Sequence, residues 1–207
     1  MYWNHNSAYY HWVKKKTTNC RSILDVGCGE GSLVLYLDDG KKEIVGIDPD
    51  QYSIERARSA KAAGNVEFSC CGFEDYDPCI QYDAIVFAAS IHHMDMSKAI
   101  QKAKALLAPS GKLLIVGLAR PSTKTDWIIE ALRVIPSKVI SAVHHMMSSE
   151  EMGIRTVYDL PQMKDVRIII RQELPGAKMH YALHYRYLLE WSADQTPVLA
   201  KQINWDL

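Results

Sequence analysis

Short apolar runs alternate along this chain with segments in which apolar residues recur every three to four positions, the mark of strands interleaved with amphipathic helices. Ile23 to Val26 is an apolar run closed by a glycine cluster, and Ser32 to Leu37 then has helical spacing, ending at Asp38, Asp39 and Gly40. Glu43 to Ile47 reads as a second strand. A helix is predicted from about Gln51 to Ala63, with Ile54, Ala57 and Ala60 on one face and Gly64-Asn65 as its stop. Val66 to Cys70 and Tyr82 to Ala88 are the third and fourth strands. Ser97 to Leu107 is a helix with Ile100, Ala103 and Leu107 in register, and Lys112 to Leu118 is a fifth strand after a Pro109-Ser110-Gly111 turn. The alternation predicts a parallel sheet with helices on both faces.

From Arg120 to Gly153 the pattern changes to short helical pieces interrupted by Pro121, Pro136 and Ser148-Ser149, which reads as an insertion over the sheet. Leu160 to Leu174 is helical again, with Met163, Val166 and Ile170 in register and Pro175-Gly176 as its end. Ala177 to Trp191 reads as two strands meeting near His184, and so close a pair must be antiparallel. The expected fold is therefore α/β: a doubly wound, mostly parallel, Rossmann-like sheet of seven strands, with a C-terminal antiparallel pair and a helical insertion after the fifth strand. The 207 residues suit one domain. Its parts are an N-terminal helical cover (1–20), a core (21–118), the insertion (119–153), the last helix and strand pair (154–191) and a tail (192–207).

Composition narrows the function classes. With 48% hydrophobic and 23% charged residues the chain is an ordinary folding sequence, and 24 basic residues balance 24 acidic ones. It therefore lacks the electrostatic footprint of a nucleic-acid binder, and Lys14 to Lys16 reads as a solvated helix end. The five cysteines are odd in number and lack C-x-x-C spacing, so a reducing cytoplasm is expected and a zinc site is not. Cys70 and Cys71 read as small core residues closing a strand. No basic segment followed by an apolar run opens the chain, and no run of eighteen apolar residues occurs, so neither export nor membrane spanning is expected.

The chemistry concentrates in Ile23-Leu24-Asp25-Val26-Gly27-Cys28-Gly29-Glu30-Gly31, where an acid near the end of the first strand precedes three alternating glycines. Glycine lets a ligand approach the backbone closely. A second acid, Asp48, closes the next strand, placed to accept hydrogen bonds from ribose hydroxyls. A dinucleotide fold would need G-x-G-x-x-G, but Ser32 stands at the third glycine's position. Asp25 would also repel a pyrophosphate, whereas beside an ammonium it is favourable.

On these residues the chain resembles the class I S-adenosylmethionine-dependent methyltransferases, in their small-molecule branch known as type 11 or 12. The resemblance runs from about residue 20 to 118, and the final strand pair extends it. It implies that Asp25, Gly27, Cys28 and Gly29 line the methionine part of S-adenosylmethionine, that Asp48 holds the ribose and that Pro49 packs beside the adenine. Phe73 and Glu74 match the loop bordering the adenine, with Gly72 where the family often has aspartate. Ala88 and Ala89 match the stretch facing the sulfonium, and Ile91-His92-His93-Met94 the histidine-bearing turn of this branch. Pro109-Ser110-Gly111 departs from the family's Pro-Gly-Gly at a structural turn. The aromatic start (Tyr2, Trp3, Tyr9, Tyr10, Trp12) resembles the helix that covers the cofactor, with His5, Asn6 and Tyr9 at its polar and aromatic positions.

The resemblance implies in-line transfer of a methyl group to a small-molecule acceptor, with no nucleic-acid or membrane partner. His93, His92 and Tyr10 are the candidate bases; a capping or hydrogen-bonded structural role is the other reading of the histidine pair. His144 and His145, on the insertion, read as structural. Two further readings stand beside this one: a protein or nucleic-acid methyltransferase of the same fold, and a non-catalytic cofactor-binding module. Ala88-Ala89-Ser90-Ile91 stands where amino-directed DNA enzymes carry Asn-Pro-Pro-Tyr, which disfavours nucleic acid. Residues 120–153, rich in apolar side chains from Trp127 to Met147, are expected to form a mobile cover over the acceptor.

Overall fold

The computed structural model describes residues 7–60, 64–124, 126, 160–182 and 185–194, and among them seven strands form one sheet. They are β1 (Ser22–Val26), β2 (Glu43–Asp48), β3 (Asn65–Cys70), β4 (Tyr82–Ala88), β5 (Leu107–Leu118), β6 (Lys178–Tyr181) and β7 (Arg186–Ser192). The order is β3-β2-β1-β4-β5-β7-β6. The first five strands are parallel, and β7 runs antiparallel to both β5 and β6. The order reverses between β1 and β4, which opens a crevice at their carboxyl ends, the place where open α/β sheets bind ligands.

Five α-helices accompany these strands among the described residues: α1 (Tyr10–Lys16), α2 (Ser32–Leu37), α3 (Gln51–Ser59), α4 (Met96–Leu106) and α5 (Met163–Glu173). Successive strand side chains point to opposite faces. Leu24, Val26, Ile85, Phe87, Leu113 and Ile115 accordingly pack with Ile100 of α4 and Val166 of α5. Ile23, Ala84, Val86, Leu114 and Val116 pack on the other face with Val13, Leu33 and Ile54 of α1, α2 and α3. Burial on both faces explains why β1 and β4 are nearly continuous apolar runs, whereas the edge strand β3 alternates, with Asn65 and Glu67 exposed.

Three boundaries differ from the sequence reading. Helix α3 stops at Ser59, with Ala60 extended, because Arg58 donates to the Phe68 carbonyl at 2.6 and 3.1 Å and ties the helix end to β3. Strand β5 starts at Leu107, opposite Tyr82; the register then jumps to Ala84 opposite Lys112, with Ser110 at φ +64° in the intervening bulge. Helix α5 starts at Met163 and not at Leu160. The preceding residues are taken by a clamp in which Arg120 N–H donates to the Pro161 carbonyl (2.8 Å), its Nε to the Leu160 carbonyl (3.0 Å), and Met163 N–H to the Arg120 carbonyl (2.9 Å).

Asp126 marks the chain's departure from the sheet. Its buried carboxylate accepts from the backbone N–H groups of Ser122 (2.9 Å) and Thr123 (2.8 Å), from Arg167 (2.5 Å) and from the Tyr181 hydroxyl. Burial pushes its pKa up, but the hydrogen bonds from Ser122 and Thr123 outweigh that and hold it below the ordinary value. Trp127 to Met147, His144 and His145, on which the expected cover rests, lie outside the described residues, as do Tyr2, Trp3, His5 and Asn6. Among the described residues no helix is long and apolar enough to cross a membrane.

Candidate active site

The loop after β1 is built by its glycines. Gly27, Gly29 and Gly31 all have positive φ (73°, 53° and 75°), which side-chain-bearing residues rarely adopt. At Gly27 a Cβ would lie 2.4 Å from the Cβ of Ser90, whose hydroxyl donates to the Val26 carbonyl and ties the turn after β4 to β1. At Gly29, by contrast, a Cβ would meet nothing within 4 Å, so backbone faces open space there. The loop is also sewn to β2, since Gly27 and Cys28 N–H donate to the Ile47 carbonyl at 2.8 and 3.0 Å. Glu30 is turned aside, toward Arg56 of α3 at 3.2 Å.

Asp48, at the end of β2, accepts from Gly29 N–H and Asp50 N–H, each at 2.9 Å. Each oxygen of an ionised carboxylate keeps acceptor capacity beyond one such bond. Asp25 lies one strand away, is 1% exposed, and its Oδ1 has no hydrogen-bond partner. Burial, and secondarily the charge of Asp48, push its pKa up to about 7. Tyr10 of α1 is buried on the same side, and burial followed by the charge of Asp25 raises its phenol far above the usual range. Burial, then Asp25 and Asp48, likewise raise the Cys28 thiol, so it is no nucleophile at neutral pH.

After β4, Ala88 and Ala89 are half-buried, and Ala89 holds φ +61° with its N–H bonded to the Val116 carbonyl at 2.8 Å. A 3-10 turn (Ile91–His93) follows, in which the two imidazoles lie 4.2 Å apart. His92 is half-buried, its Nδ1 has no partner, and burial, then His93 and Arg186, push its pKa down to about 4. His93 is exposed; partial burial lowers its pKa and the charge of Asp48 opposes this. Both histidines are therefore neutral at pH 7.

The residues expected at the adenine separate. Pro49 is exposed, and its carbonyl accepts from the Cys70 thiol at 3.7 Å. Phe73 turns into the core, edge-on to Phe87 with ring centres 5.5 Å apart, and Lys102 lies over its ring at 5.5 Å. Glu74 is exposed, and with Met94, Asp95, Lys98 and Ala99 it lines a shallow cavity of about 330 Å³.

A family model described as a methyltransferase domain matches residues 23–111, the span from β1 to the bulge of β5. An uncharacterized methyltransferase of Mycobacterium tuberculosis is 26% identical over 202 residues, covering 92% of this chain and 97% of that one. A ubiquinone biosynthesis O-methyltransferase of Bradyrhizobium diazoefficiens is 25% identical over 131 residues, 60% of this chain and 50% of its own length. The crystal structure of a plantazolicin methyltransferase in complex with a monoazolic desmethyl-plantazolicin analogue and SAH has a TM-score of 0.62 at 15% identity, covering 89% of this chain and 81% of that one. Residues 23–111 of this chain thus match a methyltransferase domain, a family whose cofactor is S-adenosylmethionine.

The described residues fit that cofactor. The orphaned, buried Oδ1 of Asp25 suits an ammonium, the open space at Gly29 admits a ligand against the backbone, and Asp48 has acceptor capacity for hydroxyls. Two features had no signal in the sequence. Ser90, which props the glycine loop, belongs to no motif, and Arg186, buried at the start of β7, looks like any strand-edge arginine until the sheet is assembled.

Proposed function

We propose that this methyltransferase acts on a small-molecule acceptor by in-line methyl transfer at the carboxyl edge between β1 and β5. The observation that carries the reading is the position of α1. Tyr10 is buried and close enough to Asp25 for the two to interact electrostatically, so the chain's own helix covers one side of the reacting edge. Such a covered edge suits a small acceptor better than a polymer side chain, and a chain with no net charge gives no pull on nucleic acid. The similarity to a ubiquinone biosynthesis O-methyltransferase points the same way.

When bound, S-adenosylmethionine supplies a methyl group on a sulfonium, already activated toward attack. Asp25 pairs with the ammonium, Asp48 accepts from the ribose hydroxyls, and Gly27 and Gly29 let the backbone close on the ligand, with Cys28 between them. Pro49 and Glu74 would border the adenine, with Phe73 holding their loop to the core through Phe87. Ala88 and Ala89 keep side chains out of the path between acceptor and methyl, and Tyr10 of α1, with Tyr9 just before it, bounds that path. Holding the reactants in line is the chain's main contribution and is worth several kcal/mol of barrier. An acceptor protonated at neutral pH needs a base, and His93 fills that role best: it is neutral, exposed and within reach of the field of Asp48. His92 is more buried, and with its pKa pushed down to about 4 it is a poorer proton acceptor. Tyr10 has no part as a base, because burial and Asp25 keep it protonated. With five free cysteines the chain suits a reducing cytoplasm.

The test uses S-adenosylmethionine labelled in its methyl group, incubated with the protein and a whole-cell extract that is then separated by size. Label should appear in the small-molecule fraction. Label confined to protein or nucleic acid would overturn the proposal.

A further inference from the structure

Glycines leave a loop free to move as well as to turn, so the loop after β1 needs holding from outside. It is held from both neighbours of β1 in the order β2-β1-β4. On the β2 side, Gly27 and Cys28 N–H donate to the Ile47 carbonyl at 2.8 and 3.0 Å, and Gly29 N–H donates to the Asp48 carboxylate at 2.9 Å. On the β4 side, beyond the strand ladder, the Ser90 hydroxyl donates to the Val26 carbonyl.

The backbone before Ser90 aims it. Ala89 holds φ +61°, a left-handed conformation unfavourable for alanine, and its N–H is fixed to the Val116 carbonyl at 2.8 Å. This corner turns the chain off β4 and brings Ser90, 6% exposed, against Gly27, where a Cβ would collide with it. An alanine at position 90 would fill that space equally well. What the hydroxyl adds is the bond to Val26, and a buried hydroxyl is costly unless it is bonded. The Ser90 carbonyl in turn accepts from His93 N–H at 3.0 Å, so the residue that grips the glycine loop also starts the histidine turn.

The two ends of the cofactor rest on different grips. Asp48, assigned to the ribose, is tied to the loop from β2, whereas Asp25 and Gly27, assigned to the amino-acid end, flank the carbonyl that Ser90 holds. We propose that Ser90 is a positioning residue for the cofactor: its hydroxyl fixes the β4 side of the glycine loop, so that Asp25 and Gly27 meet the amino-acid end of S-adenosylmethionine. This rests on the assignment of that end to Asp25 and Gly27 made above. The nucleoside end is held independently through β2. Ser90 has no part in the chemistry and acts through the loop.

The test compares S-adenosylhomocysteine with methylthioadenosine, which carries the same nucleoside and sulfur but no amino-acid end. Calorimetry is run on wild type, Ser90→Ala and Ser90→Cys, well below the Tm of each. Ser90→Ala should weaken S-adenosylhomocysteine by about tenfold and methylthioadenosine by no more than about twofold, the scale of one hydrogen bond whose loss is felt at one end of the ligand. Ser90→Cys, similar in size but with a weak thiol donor, should fall between wild type and Ser90→Ala, and it serves as the test if the alanine variant does not fold. A merely structural role would lower Tm and leave the ratio of the two affinities unchanged. An unchanged ratio in these variants, with both ligands unaffected or both weakened alike, would overturn the proposal. Wild type that binds methylthioadenosine as tightly as S-adenosylhomocysteine would overturn the assignment of Asp25 to the amino-acid end, and the proposal with it.

Discussion

Replacing Asp25 by asparagine should make the cofactor-free protein more stable at neutral pH while weakening cofactor binding. A carboxyl that titrates at about 7 in the folded protein and near its ordinary 3.8 when unfolded disfavours the folded state wherever it is ionised. The sign follows from proton binding. Between those values the folded state holds the extra proton, so stability is fully present below about pH 4 and is lost as pH rises through 7. The step from 3.8 to about 7 corresponds to about 4 kcal/mol in total, of which about 2 kcal/mol falls between pH 5.5 and 8. For a chain of this size that is about 4–8 °C in Tm. His92 works the other way, because its folded pKa of about 4 lies below the ordinary 6.5 and its contribution is lost as pH falls. The informative quantity is therefore the Tm of Asp25→Asn minus that of wild type, followed by calorimetric melting across this range, which should rise with pH. The same variant should lose about 1.5–3 kcal/mol of S-adenosylhomocysteine affinity, the scale of a charged hydrogen bond. Wild-type binding should release about half a proton at pH 7 as the ammonium pulls the carboxyl into its ionised form. Parallel melting curves at every pH, together with binding that is independent of pH and releases no proton, would refute the reasoning.

Asp48→Ala should weaken S-adenosylmethionine binding by about 1.5–3 kcal/mol in calorimetry, since it removes the acceptor placed for the ribose hydroxyls; unchanged affinity would remove Asp48 from the site. Gly27→Ala should lower Tm by several degrees and abolish binding, because the new methyl would lie 2.4 Å from the Cβ of Ser90 on a backbone of φ +73°; a variant that melts and binds like wild type would show that the loop yields. Once an acceptor is known, His93→Ala should lower turnover more than His92→Ala at equal Tm, and the reverse order would exchange their roles.

The sequence by itself determined the strands from β1 to β5, the position of the glycine loop and the two acids that close adjacent strands. These are legible because a parallel strand buried on both faces is a nearly continuous apolar run, and because a backbone that turns repeatedly at positive φ favours glycine. The sequence also carried the antiparallel sense of the last two strands, which follows from the shortness of their connection. Only the tertiary structure decided the rest. The helix starting at Met163 yields its first turn to the Arg120 clamp, a contact between residues some forty positions apart that no local pattern records. The bulge of β5 comes from pairing with Tyr82 and not from the composition of its turn. Phe73, read as a border of the adenine, turns its ring onto Phe87 because the loop after β3 closes over the core. The same holds for electrostatics. An aspartate titrates near 7 and a histidine near 4 only when folding strips water from them, and Arg186 is buried on the α1 face only because the fold brings β7 beside β5.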